Sequence, residues 1–249
     1  MPQAGLISQY QFLSFDGGAY SNQGRNLKTW WNFEDFIGGF EASAQDNGIW
    51  ASFASGAGAN VFGGAGTTLR PGLLSLATGT TITGNSTLYS GRGNQQPILF
   101  GAGVYTFETD VYIPTLSTVG EEYILRIGFG DTTNGADFVD GAYFEYDRLG
   151  FGTNWRYCTA SNSIRSKADL GQAVSAGVWT RLKIVVNVDG TFAYFYFNGQ
   201  LLASSFTNLP TGAGRETSLV FNIIKSAGTT TRSLNIDWAW LHMDLSASR

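Results

Sequence analysis

The chain contains 249 residues, of which 43% are hydrophobic, 14% aromatic and 14% charged, and its formal net charge is −4. This composition excludes a disordered chain and a coiled coil, and it provides enough apolar residues for a sizeable core. The acidic balance and the lack of a Lys/Arg cluster argue against nucleic acid and anionic membranes as partners.

Residues 1–29 differ from the rest because they are polar and rich in Gln, Ser, Asn and Gly. A loose tail and an arm that packs on partner subunits both fit this composition, and we favour the arm. The start also lacks a basic segment followed by an apolar run, so we expect no signal peptide and synthesis in a cytoplasm. No stretch reaches the roughly 20 apolar residues that a membrane-spanning helix needs.

Residues 30–249 are predicted to form one sandwich domain. The first part of this domain contains short candidate strands separated by Gly-rich turns, at 31–36, 48–53, 73–77 and 86–89. Segment 54–66 is too rich in glycine for an interior strand, and we expect a loop or a sheet edge there.

Alternation with a period of two begins at residue 103. Tyr105, Phe107, Thr109 and Val111 share one face of a strand, which predicts that this face is buried. Further strands are predicted at 121–129, 141–147, 217–224 and 233–241.

A meander of three strands is predicted at 179–206. Asp189-Gly190 and Asn198-Gly199 supply the positive backbone φ angles that two-residue hairpin turns require. Short strands at regular intervals, without helical periodicity, predict an all-β fold: a two-sheet antiparallel jelly-roll sandwich.

Two isolated polar features are expected to be structural. Cys158 is the only cysteine, so no internal disulfide can form, and we expect a small buried side chain. The densest basic segment, Ile164-Arg165-Ser166-Lys167, is predicted to be a solvated turn. With one cysteine and one histidine, zinc is implausible, and no cofactor is expected.

Paired carboxylates, which glycoside hydrolysis requires, occur on two predicted strands. The pairs are Glu108 with Asp110 and Glu145 with Asp147. Laminarinase-type glucanases of sandwich fold carry Glu-x-Asp-x-Glu on a strand, but here the third acid is replaced by Tyr112 or Leu149. We therefore favour structural carboxylates over catalytic ones.

His242 is the only candidate for a histidine base of the kind that polysaccharide lyases of this architecture use. It is predicted to share one strand face with Leu234, Ile236, Trp238 and Trp240, where a structural histidine is expected. A lyase with a tyrosine base stays open.

The loop from 131 to 140 carries four oxygen-bearing side chains, Asp131, Asn134, Asp137 and Asp140. Hard oxygen ligands of this kind suit Ca²⁺, although their spacing matches no established calcium loop. Asp and Asn are also ordinary turn residues, and we favour that interpretation.

Aromatic and charged residues near the middle of the chain form a candidate carbohydrate site. Sugars stack on exposed Trp and Tyr rings, and charged neighbours can bind their hydroxyl groups. The candidate residues are Arg126, Tyr143, Glu145, Trp155, Arg156 and Tyr157. The alternative is that most of these rings belong to the core.

The order of several motifs between residues 33 and 245 carries a resemblance to a known family. The motifs are NFEDFIGG, Gly48-Ile49-Trp50, RPGLLSLATGTT, YTFETDVYIP, DGAYFEYD, VWTRLKIVVNVDGTFAYFYFNGQLL, TNLP and LNIDWAWL. The pattern resembles the concanavalin A-like lectin/glucanase (laminin-G-like) modules of virion proteins from tailed bacteriophages. These motifs are turns and core strands, so they specify fold better than activity.

The resemblance implies a non-enzymatic virion structural protein: a capsid decoration or cement protein, a head fibre or a tail-associated knob. It also implies other virion proteins as partners, a homotrimer, location in the virion, and binding of host-cell glycans. Two alternatives remain, a carbohydrate-binding module without a role in a particle and a polysaccharide-degrading glycosidase or lyase.

Overall fold

The structure is a computed structural model that describes residues 29–36, 50–91 and 96–247. This part of the chain contains fifteen strands and one helical turn. In chain order they are β1 (Thr29–Glu34), β2 (Trp50–Ser55), β3 (Ala59–Gly64), β4 (Leu73–Thr78), β5 (Asn85–Ser90), β6 (Gly103–Tyr112), β7 (Tyr123–Gly130), β8 (Gly141–Asp147), α1 (Arg148–Phe151), β9 (Asn154–Ser161), β10 (Ile164–Ala173), β11 (Trp179–Val186), β12 (Ala193–Phe197), β13 (Gln200–Ser205), β14 (Ser218–Lys225) and β15 (Ser233–Leu245).

These strands form two antiparallel sheets. The front sheet has eight strands in the order β13-β12-β11-β6-β15-β4-β3, with β1 also paired to β15. The back sheet has seven strands in the order β10-β9-β8-β7-β14-β5-β2. The predicted all-β, two-sheet sandwich is therefore confirmed.

Aromatic rings fill the space between the sheets. Phe107 of β6 is fully buried, and its ring centroid lies 6.0 Å from that of Phe129 and 5.6 Å from that of Phe221, both on the back sheet. Tyr105 and Val111 are buried on the same face of β6, so the period-two prediction for this strand is confirmed. The core thus joins the central strands of both sheets.

A hairpin of β9 and β10 corrects one prediction. Segment 164–167 lies in strand β10, not in a solvated turn, because the chain reverses just before it. Asn162 and Ser163 both have positive φ angles, which a tight two-residue turn requires. Cys158 of β9 is fully buried, as predicted.

The turn between β11 and β12 is longer than predicted. β11 ends at Val186 and β12 begins at Ala193, so Asp189-Gly190 lies within a wider loop. The side chain of Asn187 accepts hydrogen bonds from the backbone N–H groups of Thr191 and Phe192, which closes this loop.

The predicted boundary between arm and domain lies at the start of the described residues. Of the arm predicted at 1–29, only Thr29, the first residue of β1, lies within the described residues.

Strand β3, in the glycine-rich segment 54–66, is the edge strand of the front sheet, which is one of the two structures predicted for this segment. Among the described residues, no helix is long and apolar enough to cross a bilayer.

Phe107→Ala tests the core. It should destabilise the protein by about 3–5 kcal/mol because a fully buried ring leaves a cavity between two sheets. Leu69→Ala is the matched control, since Leu69 is 93% exposed, and it should change stability by no more than about 0.5 kcal/mol. Chemical denaturation of both variants measures the difference; equal stabilities would contradict this account of the core.

Candidate functional site

A β-bulge in β15 decides which of its side chains reach solvent. Ile236 pairs with Val111, whereas Trp238 pairs with Asp110, so Asp237 is an extra residue between two regular stretches of the ladder. An extra residue shifts the alternation of side chains by one position. Asp237 and Trp238 therefore both lie on the outer side of the front sheet.

The bulge corrects the predicted environment of His242. Leu234 and Ile236, before the bulge, are buried in the core, but Trp240 and His242, after it, are only partly buried on the outer face. The rings of Trp240 and His242 stack with centroids 5.5 Å apart. His242 is thus beside solvent rather than inside the sandwich.

We give the name aromatic face to five of the partly exposed aromatic rings on this outer side of the front sheet. They are Tyr112, Trp179, Tyr196, Trp238 and Trp240. Tyr112 and Trp179 pair across β6 and β11 with ring centroids 5.3 Å apart, and Trp238 stacks on Phe33 of β1 at 5.9 Å. The rings therefore support one another from different strands.

The side chain of Arg70 joins two acids of the outer face. Its guanidinium group lies 3.2 Å from the Asp110 carboxylate and also donates to the carboxylate of Asp237. The same guanidinium lies 4.0 Å from the centre of the Trp179 ring. Burial raises the pKa of Asp237, and the Asp110 carboxylate adds to that effect although Arg70 opposes it.

The row of oppositely charged side chains that begins with Asp237, Arg70 and Asp110 continues on β11. Arg181 lies 3.3 Å from Asp110 and 3.9 Å from Glu108, and Lys183 lies 3.5 Å from Glu108. These contacts follow from strand register, because Arg181 and Lys183 stand opposite Asp110 and Glu108. Cross-strand pairs of opposite charge stabilise a sheet and fix the side chains involved.

Six residues thus form a continuous row of alternating charge, which we call the charge ladder. In order they are Asp237, Arg70, Asp110, Arg181, Glu108 and Lys183. Its cations also contact the aromatic face: Arg181 lies 5.4 Å from the Trp238 ring and Lys183 lies 5.5 Å from the Tyr196 ring. Cation–π contacts of this kind hold ring and cation together.

The two predicted carboxylate pairs have different environments. Glu108 and Asp110 both belong to the charge ladder. Glu145 is 1% exposed within the back sheet, whereas Asp147 caps α1 by accepting a hydrogen bond from the backbone N–H of Gly150. The pair on β8 therefore does not share one open cleft.

The six residues predicted to bind carbohydrate separate into two layers. Trp155 is fully buried between the sheets, and Tyr157 packs on Phe195 in the same core, at a centroid distance of 5.4 Å. The other four lie on the outer side of the back sheet but are at most 5% exposed: Arg126, Tyr143, Glu145 and Arg156. The open platform predicted from sequence is therefore contradicted.

The loop at 131–140 covers this outer side of the back sheet. Phe138 is fully buried against Tyr143, and the Arg126 guanidinium donates to the carbonyl oxygen of Gly135. Beneath the loop, Glu145 accepts from Arg126 at 3.0 Å and from Lys167 at 2.8 Å. A buried ionic network of this kind holds the loop to the sheet.

The four candidate calcium ligands in that loop make protein contacts. Asp131 accepts from the backbone N–H of Val139, and Asn134 accepts from that of Ala136. Asp137 accepts from Lys167 and from the Tyr143 hydroxyl, and Asp140 lies 3.2 Å from Arg215. Within the described residues, no group of three or more His, Cys, Asp or Glu side chains could hold a metal ion.

The aromatic face was not predicted from the sequence. The acids of β6 and the tryptophans of β15 were identified separately, and regular alternation placed the tryptophans on a buried face. The burial of side chains along β15 changes from even-numbered to odd-numbered positions at Asp237-Trp238. The sequence does not show this change, because Trp238 and Trp240 keep the even positions apolar.

The described residues adopt the fold of a concanavalin A-like jelly roll, the class of the lectin and glucanase domains. The carbohydrate recognition domain of Emp46p in its potassium-bound form is similar, with a TM-score of 0.55 and 12% identity over 84% of this chain and 94% of that chain. A glycoside hydrolase of family 16 from Bacteroides ovatus, solved with a mixed-linkage glucan product, has a TM-score of 0.54 and 11% identity over 84% and 98%.

Within that class, the chain belongs to the family described as SO2946-like, C-terminal domain, whose model matches residues 69–237. SO2946 from Shewanella oneidensis MR-1, a protein of unknown function, is similar along its length. Its TM-score is 0.64, with 15% identity over 99% of this chain and 98% of that chain. A comparison with curated proteins finds no match.

Asp137→Asn tests the ionic network under the loop. Burial opposes ionisation of this carboxyl, but the Arg126 charge and hydrogen bonds from Lys167 and Tyr143 hold its pKa below the usual range. A lowered folded-state pKa means that the stabilisation is complete above the unfolded pKa, about 3.9, and is lost as the pH falls below it.

The variant should therefore lose about 1.5–3 kcal/mol at neutral pH, and the loss should shrink below about pH 4. Urea denaturation of both proteins across this pH range measures it. Asp189→Asn, in the exposed loop after β11, is the control. A difference that does not change with pH would show that the charge of Asp137 is not responsible.

Proposed function

We propose that this chain is a non-enzymatic glycan-binding module and that its ligand lies across the aromatic face. The observation that carries the proposal is the combination of Trp179, Trp238 and Trp240, all partly exposed, with a row of fixed charged groups among them. A rigid surface that combines apolar rings with a few oriented polar groups is typical of small-molecule sites.

The chemistry of the aromatic face matches that of a sugar ring. A pyranose presents C–H groups on its faces, which stack on aromatic rings, and hydroxyl groups at its rim, which donate and accept hydrogen bonds. Carboxylates such as Glu108, whose side chain is 17% exposed, accept from hydroxyl groups, whereas guanidinium groups such as Arg181, which is 50% exposed, donate to them. Both kinds of partner lie beside the rings.

The length of the face favours an oligosaccharide over a single sugar. Trp240 and Trp238 stand opposite Glu108 and Asp110, and Tyr112 follows on the same strand face. Each step of two residues along a strand covers about 7 Å, so the rings extend over about 14 Å. Successive sugar units could therefore meet successive rings.

Similar solved structures support a sugar as the ligand class. Emp46p was solved as a carbohydrate recognition domain, and the Bacteroides ovatus protein was solved with a glucan product. Both are far below the identity at which a ligand could be transferred, so the proposal depends on the residues of this chain.

Binding is favoured over hydrolysis by the partners of the acids on β6. Glycoside hydrolysis needs one carboxyl that donates a proton and one carboxylate that is free to act as base or nucleophile. Here Asp110 contacts Arg70 and Arg181, while Glu108 contacts Lys183. Carboxylates with such partners are suited to hold hydroxyl groups in place.

A role in a virion remains a prediction from the sequence resemblance. Incorporation as a decoration protein, head fibre or tail-associated knob, assembly as a homotrimer and contacts with other virion proteins all derive from that resemblance. A glycan-binding face is compatible with recognition of a host surface by such a particle. Purified particles probed with an antibody against the chain would test it.

Trp238→Ala and Trp240→Ala test the proposed ligand face. Each should weaken binding of glycans by at least about tenfold, because loss of a central aromatic anchor costs more than about 1.4 kcal/mol of binding free energy. A glycan array identifies bound oligosaccharides, and calorimetry with the strongest of them measures the affinities.

Phe53→Ala is the control, because Phe53 is an exposed aromatic residue of β2 in the back sheet. It should bind like the unmodified protein, and thermal denaturation should show that all three variants are folded. Failure of the unmodified protein to bind any glycan would contradict the proposal. Hydrolysis of a bound glycan would also contradict it. Such catalysis would be shown if the unmodified protein released reducing ends from the glycan and the Asp237→Asn variant did not.

A further inference from the structure

The charge ladder contains equal numbers of positive and negative groups. Asp237, Asp110 and Glu108 alternate with three cations, so the ladder as a whole is neutral. The four inner members each contact two groups of opposite sign; Asp110, for example, lies between Arg70 and Arg181. The attraction of each inner cation is therefore already directed at two carboxylates.

The ends of the aromatic face add negative charge. At one end the Asp35 carboxylate acts on Asp237, where it contributes to the raised pKa of that group. At the other end Asp244 lies 3.7 Å from His242 and is half exposed. Asp244 therefore places a negative charge at this end of the aromatic face.

An anionic ligand would meet two costs on this surface. Its negative group would compete with Glu108 for Lys183 and Arg181, and it would approach Asp110 and Asp237 against like charge. Repulsion between like charges that are partly shielded from water is substantial. A neutral hydroxyl group meets neither cost, because it can donate to a carboxylate or accept from a cation while the ion pairs stay intact.

We infer that the aromatic face selects neutral oligosaccharides and rejects those that carry uronate, sialate, sulfate or phosphate groups. This inference rests on the proposed glycan-binding function and specifies its ligand class. Recognition then depends on ring stacking and on hydrogen bonds to a neutral ladder, so binding should depend only weakly on ionic strength.

The experiment compares neutral oligosaccharides with derivatives of the same oligosaccharides that carry one sulfate or uronate group, on one array. Calorimetry at low and high salt follows for the strongest pair. The unmodified protein should bind the neutral member at least about tenfold more tightly, with little change on addition of salt. Preference for the anionic member would overturn the inference while leaving glycan binding intact, whereas binding to neither would overturn the proposed function itself.

Glu108→Gln tests whether the ladder causes this preference. Replacing the carboxylate by an amide of the same shape leaves Lys183 without its acidic partner, so the ratio of anionic to neutral affinity should rise by at least about threefold and fall again with salt. Asp189→Asn also removes one negative charge, but from the exposed loop after β11, so its ratio of anionic to neutral affinity should equal that of the unmodified protein. An unchanged ratio in Glu108→Gln, or an equal rise in both variants, would overturn the inference.

Discussion

The single extra residue in β15 determines what the front sheet presents to solvent. β15 pairs with β6, β4 and β1, so the direction of its side chains affects much of that sheet. Without the bulge at Asp237, regular alternation would direct Trp238 and Trp240 into a core already filled by rings such as Phe107. With it, Leu241 returns to the core and the tryptophans reach the outer face beside the charge ladder.

The two outer faces of the sandwich show that burial, more than residue type, decides the role of a side chain. Both faces carry arginines, acids and aromatic rings. On the back sheet, the loop at 131–140 encloses Glu145 among three cations, and breaking such buried pairs is costly. On the front sheet, Arg181 remains half exposed and stays available to a ligand. The same chemistry thus holds a loop on one face and forms the proposed binding surface on the other.

Much of the fold follows from the sequence because strands such as β6 alternate regularly and Asn198-Gly199 marks a tight turn. The β9–β10 hairpin was missed because its turn, Asn162-Ser163, lacks glycine. The site was harder to predict for a different reason. Alternation divides the residues of β9 between two faces, but it does not show which face contacts the other sheet and which is covered by the loop at 131–140. The burial of Trp155 between the sheets therefore could not be predicted from the strand alone. Likewise, a bulge depends on the partner strand, which a single strand sequence does not reveal.

The most direct test of the central claim is the NMR spectrum of the tryptophan indole N–H groups during titration with a bound neutral oligosaccharide. The signals of Trp179, Trp238 and Trp240 should shift with one common affinity, because these rings lie on the outer face of the front sheet. The signals of Trp50 and Trp155, which are buried in the core, should stay in place. Shifts confined to the buried pair, or no shift of the three outer rings at saturation, would contradict the account.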